Sequence, residues 1–179
     1  MTTASKITLL RVLMVPVFMI VLLSGISYAN YIALAIFIIA SVTDFVDGYV
    51  ARHYNQTTDF GKFIDPLADK LLVFAALLIF VQSGLMPAWA AMVILTREFA
   101  VTGLRLVAVG KNRVIAAGMS GKVKTFSSMV CICIMLTDVG LVPIGPVDMN
   151  WLCIVVMVVT TVWSGVEYFV RNIDVLDLG

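Results

Sequence analysis

Four aspartates stand where charge is costly. Asp44 and Asp47 lie three residues apart, and Asp65 and Asp69 lie four apart. On a helix, both spacings place the pair on one face. If the two helices are antiparallel neighbours, all four carboxylates converge. Bare carboxylates at such range repel, and one or more takes up a proton. A bound divalent cation removes that conflict, and an oxygen-only set suits Mg²⁺ or Mn²⁺. No His or Cys joins the four, which counts against zinc. The plainer reading has them capping helix ends and pairing with Arg52, Lys62 or Lys70. Ionisable groups at membrane depth are costly and usually functional, so that reading weakens for all four together.

A second set is basic. Arg97 and Glu98 fall in the middle of an apolar run, Arg105 follows eight residues on, and Arg113, Lys122 and Lys124 come next. Eight residues is about two helical turns, so Arg97 and Arg105 share nearly one face. An arginine within a membrane must meet a polar cavity or a partner. Cations converging there suit an anionic ligand. The competing reading makes Lys111, Arg113, Lys122 and Lys124 anchors to anionic headgroups, and makes Arg97–Glu98 a structural ion pair. Adjacent residues point to different helix faces, however, which directs Glu98 toward another partner. His53 reads as a solvated residue at the rim.

The elements that carry these groups are apolar. Of 179 residues, 61% are hydrophobic and 13% charged, and the mean hydropathy is +1.06. A soluble domain carries about 25% charged residues, so this composition places the chain in lipid. Six apolar segments emerge, at 7–23, 31–50, 65–81, 87–109, 123–136 and 151–170. Several approach the ~20 residues that a spanning helix needs, and in lipid only helices satisfy their own backbone. The expected fold is all-α: a polytopic integral membrane protein, residues 1–179 forming one six-helix domain with a polar cavity facing the cytoplasm. Trp89, Trp151 and Tyr31 suit interfacial belts, whereas Trp163 falls well inside its segment. Cys131, Cys133 and Cys153 sit in apolar runs and read as packing residues. The first segment resembles a signal peptide, but Arg11 inside the run argues against that.

Charge sets the orientation. The stretches 24–30, 82–86 and 137–150 contain no Lys or Arg. The opposite side holds Lys6, Arg52, Lys62, Lys70, Lys111, Arg113, Lys122, Lys124 and Arg171, and Arg11 and Arg105 lie near enough to snorkel toward it. The positive-inside rule puts both termini and the 51–64 and 110–122 connections in the cytoplasm. A multi-pass protein of the cell membrane is the expected localisation.

Between residues 44 and 69 the chain reads Asp44-x2-Asp47-Gly48-x2-Ala51-Arg52-x8-Gly61-x3-Asp65-x3-Asp69. This resembles the signature of the CDP-alcohol phosphotransferase family at every fixed position. Further stretches are similar to its bacterial phosphatidylglycerophosphate synthase branch: Ile7-Thr8-Leu9-Leu10-Arg11, Arg97-Glu98-Phe99, Gly103-Leu104-Arg105, Gly121-Lys122-Val123-Lys124 and Gly165-Val166-Glu167-Tyr168. The branch often has Pro-Asn before the first of these, where this chain has Ser5-Lys6. The resemblance implies that Asp44, Asp47 and Asp65 hold one or two Mg²⁺ or Mn²⁺ ions, with Asp69 sharing a ligand role and acting as base. It implies transfer of the phosphatidyl group from CDP-diacylglycerol to sn-glycerol 3-phosphate, giving phosphatidylglycerophosphate and CMP. Asp44, Asp47, Gly48, Ala51, Arg52 and Gly61 would bind the nucleotide. Arg97, Arg105, Arg113, Lys122 and Lys124 would bind the acceptor phosphate. Membrane lipids and a second copy of the chain are the implied partners, and nucleic acid is not. Two other functions compete: a sibling transferase using inositol phosphate or serine, and a divalent-cation transporter. Transporters often show inverted repeats, and this chain has no visible repeat.

Overall fold

A computed structural model describes residues 10–43 and 70–174, apart from 112, 114 and 117, and gives secondary structure alone for 3–9, 44–54, 59–69 and 175. The described residues are almost entirely helical. They form α1 (Thr3–Leu23), α2 (Ala29–Tyr54), α3 (Asp59–Gln82), α4 (Ala88–Gly110), α5 (Met119–Met135) and α6 (Met149–Arg171). Each expected segment corresponds to one helix. The largest difference is at α3, which begins at Asp59, six residues before the apolar run. Backbone hydrogen bonding carries the helix through Lys62, Asp65 and Pro66, which interrupt the apolar pattern. Proline in a membrane helix is tolerated where other groups satisfy the freed carbonyl. The same holds for Pro16 inside α1.

At ~1.5 Å per residue, the 21, 26, 24 and 23 residues of α1 to α4 are each long enough for a hydrocarbon layer of ~30 Å. Among the described residues, one helix, Met149–Arg171, is both long enough and apolar enough to cross a membrane by composition. Outward faces are apolar well beyond that helix. Leu13 and Ile20 of α1, Ile39 of α2, Met92 of α4 and Phe126 of α5 are exposed. So is Trp163, in the body of α6. So many exposed large apolar side chains suit a lipid surface better than water.

The chain divides into two compact units, residues 1–82 and 83–179. In the first, α1 packs on both α2 and α3. Phe18 of α1 meets Phe37 of α2 with ring centroids 6.2 Å apart and planes tilted by 44°. Ala33 and Ala40 are fully buried beside it on α2; small side chains let membrane helices approach closely. Arg11 is 4% exposed, so it packs within the unit instead of reaching outward. Gly25 turns the chain between α1 and α2 at φ 69°, a backbone region that favours glycine.

In the second unit α6 packs on both α4 and α5. The buried face of α5 is Ser120, Lys124, Ser128, Cys131, Ile132 and Met135, a stripe at helical spacing. It meets Cys153, Met157, Thr161, Ser164 and Gly165 of α6. The contact is rich in small and hydroxyl side chains, and Ser127 Oγ lies 3.3 Å from Thr160 Oγ1 across it. Such contacts replace the hydrophobic drive that lipid cannot supply. The connection between these helices holds structure that the sequence did not announce. A 3₁₀ turn (Asp138–Leu141) leads into a two-strand hairpin, β1 (Pro143–Ile144) paired antiparallel with β2 (Val147–Asp148), which turns at Gly145 with φ 64°. Asp148 then caps α6, its Oδ1 accepting from the Trp151 amide at 2.9 Å.

Candidate functional site

The acidic signature falls on two helices of the first unit. Asp44, Asp47, Gly48, Ala51 and Arg52 belong to α2, and Gly61, Asp65 and Asp69 to α3. Both helices are continuous through these positions, so Asp44 and Asp47 share one helical face and Asp65 and Asp69 another. The two helices meet through residues 55–58 alone. Covalent geometry therefore keeps Tyr54 and Asp59 within about 19 Å of each other. The side chains of 44–69 lie outside the described residues, as do the roles expected for them as metal ligands, base and nucleotide contacts. What the helical register and the residue types provide is two pairs of carboxylates on connected helices, a donor type that would suit Mg²⁺ or Mn²⁺. Among the described residues no His, Cys, Asp or Glu cluster could hold a metal.

The basic residues lie in the second unit, and folding sorts them into two groups. Arg97, Glu98 and Lys124 form the first. The Glu98 carboxylate accepts through Oε1 from Arg97 Nη1 at 2.8 Å and from Lys124 Nζ at 2.6 Å. All three side chains are largely buried, at 12%, 12% and 5% exposure. Charges withdrawn from water need partners at this range, and removing one partner of a buried pair costs about 3–5 kcal/mol. The Arg97 stem runs against the backbone of α6: a Cβ added at Gly165 would lie 3.0 Å from Arg97 Cγ. The guanidinium passes beside α5, where a Cβ at Gly121 would lie 3.8 Å from Nη2. Gly165 thus leaves room for the arginine stem, while Gly121 lies at ordinary contact distance from its head.

Arg105 and Arg113 form the second group, nearer the ends of α4 and α6. Arg105 Nε donates to Tyr168 Oη at 3.0 Å, and its guanidinium stands 5.4 Å from the centre of the Tyr168 ring. A cation over an aromatic face gains about 0.5–2 kcal/mol. Arg113 pairs with Asp174 in the 3₁₀ turn Ile173–Val175, which follows α6. The hydrogen bond from Arg113 holds the Asp174 carboxyl below its ordinary range. Arg171 pairs with Glu167 at 2.7 Å, one turn back on α6. Arg113, Ser120, Tyr168, Arg171 and Asn172 line a cavity of about 260 Å³. Of the five basic residues expected at an acceptor site, Lys124 is buried with Arg97, Arg105 and Arg113 reach Tyr168 and Asp174, and Lys122 is exposed. Tyr168 is the participant that sequence reasoning missed. A polar ring in a Val-rich helix was the available signal, but its partner Arg105 is 63 residues away.

One unit thus carries four aspartates on two connected helices, and the other a buried cationic set. The sequence model described as CDP-alcohol phosphatidyltransferase matches residues 1–163. A Bacillus subtilis protein named CDP-diacylglycerol–glycerol-3-phosphate 3-phosphatidyltransferase is 47% identical, over 96% of this chain and 95% of its own. Its namesake in Escherichia coli is 34% identical over 96% and 95%. A Rickettsia felis protein of the same name is 37% identical over 73% and 72%. With a match over most of its length and relatives this close, the chain belongs to the CDP-alcohol phosphatidyltransferase family.

Proposed function

We propose that the chain transfers the phosphatidyl group of CDP-diacylglycerol to sn-glycerol 3-phosphate. The observation that carries this reading is the 47% identity, over nearly the whole of both chains, to a relative named for that reaction. The buried cations on α4 and α5 support an anionic acceptor.

In this reading an acceptor hydroxyl oxygen attacks the phosphorus that bears diacylglycerol. A new P–O bond forms there, and the bond from that phosphorus to the bridging oxygen breaks. CMP departs with the electron pair. Asp69 takes the hydroxyl proton, a role worth about 10²–10⁴-fold in rate. Asp44, Asp47 and Asp65, with Asp69 sharing, would hold one or two Mg²⁺ or Mn²⁺ ions. Bound there, a divalent cation neutralises diphosphate charge and stabilises the leaving oxygen. Arg52 offers a bidentate contact to phosphate, and Gly48, Ala51 and Gly61 keep side chains clear of the nucleotide. Arg97, Arg105, Arg113, Lys122 and Lys124 bind the acceptor phosphate.

The six helices each span the membrane in this account, with both termini and the polar cavity on the cytoplasmic face. The support is the absence of Lys and Arg from 24–30, 82–86 and 137–150. A bacterial inner membrane and a homodimer follow from the family resemblance. The test is incubation of the detergent-purified chain with CDP-diacylglycerol, Mg²⁺ or Mn²⁺, and separate acceptors. CMP release and phosphatidylglycerophosphate are expected with glycerol 3-phosphate, and chelation should stop both. Product with serine or inositol phosphate, but none with glycerol 3-phosphate, would overturn the choice of acceptor.

A further inference from the structure

We propose that Glu98 is a positioning residue, which sets the spacing and aim of two buried cations for the acceptor phosphate. The inference rests on the acceptor reading above and extends it to a residue with no direct role there. Glu98 follows Arg97 on α4, and neighbouring side chains on a helix diverge by about 100°. Here they nonetheless converge. One oxygen, Oε1, accepts from Arg97 and also from Lys124, which belongs to α5. The two nitrogens are therefore held no further apart than two hydrogen-bond lengths, within reach of a single phosphate group.

Three features make the carboxylate the controlling element. One carboxylate oxygen is shared between two cations, which leaves both able to attract an anionic visitor over a neutral one. Without Glu98 the same cations would repel each other and separate. Arg97 Nε is buried and makes no hydrogen bond among the described residues, so the guanidinium retains donor capacity. On its other flank the arginine stem is confined by Gly165, so its aim is fixed from both sides. Glu98 itself, as a carboxylate, would repel the acceptor phosphate and acts only through the cations it holds.

The experiment is steady-state CMP release by the full-length purified chain, with glycerol 3-phosphate and CDP-diacylglycerol varied in turn. Glu98→Gln should raise KM for glycerol 3-phosphate by about 10-fold or more and move KM for the lipid by less than about 2-fold, since a buried charge loses its partner. Glu98→Asp, which keeps the charge, should recover most of that loss. Gly165→Ala leaves every charge in place but forces the Arg97 stem to shift, and should raise the acceptor KM by about 3-fold or more. A purely structural role would lower folded yield and affect both substrates alike. Equal changes in the two KM values, or an unchanged acceptor KM in folded Glu98→Gln, would overturn the assignment of Glu98 alone. If Glu98→Gln does not fold, the Glu98→Asp and Gly165→Ala proteins decide it by the same split. A wild-type chain that ignores glycerol 3-phosphate would remove the acceptor reading and this inference together.

Discussion

Residues 1–82 and 83–179 both place charge in apolar helices, but they assemble it differently. The acidic set is local. Asp44 and Asp47 share a face of α2, Asp65 and Asp69 share a face of α3, and only residues 55–58 separate the helices. The basic set is non-local. Lys124 reaches Glu98 from 26 residues away, Arg113 reaches Asp174 from 61, and Arg105 reaches Tyr168 from 63. Carboxylates can draw a counter-ion from solution, so spacing along the chain is enough to set each pair on a shared helical face. Clustered guanidinium and ammonium groups need internal counter-charges and packing, so three helices must be folded before the group exists. In the proposed reaction the same contrast would divide the chemistry, with acids at the reacting phosphorus and bases at the visiting anion.

The division is testable from its strongest element down. Asp69→Asn should lower kcat by about 10²–10⁴-fold, while calorimetry finds divalent-ion binding largely retained. Substantial residual turnover would break the assignment of proton transfer to the acidic unit. Arg105→Ala should raise KM for glycerol 3-phosphate by about 10-fold, because a charge-assisted contact is lost, and should leave the lipid KM nearly unchanged. A larger effect on the lipid would blur the distinction between the units. Gly140→Ala should leave both KM values alone and destabilise the second unit by about 1–3 kcal/mol, read as a lower Tm. Its new Cβ would lie 2.3 Å from Asn150 Oδ1, inside a buried contact. The smallest effect belongs to Asp174. Its carboxyl is held below its ordinary value by the hydrogen bond from Arg113, so the pair persists above the ordinary carboxylate range. It is lost only as pH falls through the lowered value. A carbon-detected NMR titration should show this, and Arg113→Ala should return Asp174 to its ordinary range. Because the pair is exposed, Tm should scarcely respond.

Legibility in the sequence followed the same line between local and distant. Apolar runs located all six helices, and α4 agrees with its run to within a residue at each end. The apolar run starts six residues after α3 does because Asp59, Gly61 and Lys62 break the hydropathy pattern without breaking the helix. The hairpin at 143–148 escaped notice because strands of two residues carry no periodicity. Among candidate site residues, the pairing of Asp44 with Asp47 and of Asp65 with Asp69 could be read from spacing alone. The partner of Glu98 could not, since nothing in α4 indicates which turn of α5 will face it. The contact of Tyr168 with Arg105 depends on the packing of α4 on α6, which spacing along the chain does not show.

The connection between α5 and α6 carries one more consequence. Met149 returns a backbone bond to Val142 at 3.0 Å, Asp148 caps the first turn of α6, and Gly140 leaves room for the buried Asn150. A helix moored in this way at its N-terminal end is held against sliding past its neighbour. Lys124 lies 11 residues, about 16 Å, below the last turn of α5, so its height relative to Gly165 is fixed by an anchor on the far side of the bundle. Accommodation of a ligand then falls to side chains that the packing leaves exposed, such as Lys122, since Glu98 and Gly165 already hold Arg97 and Lys124 in place.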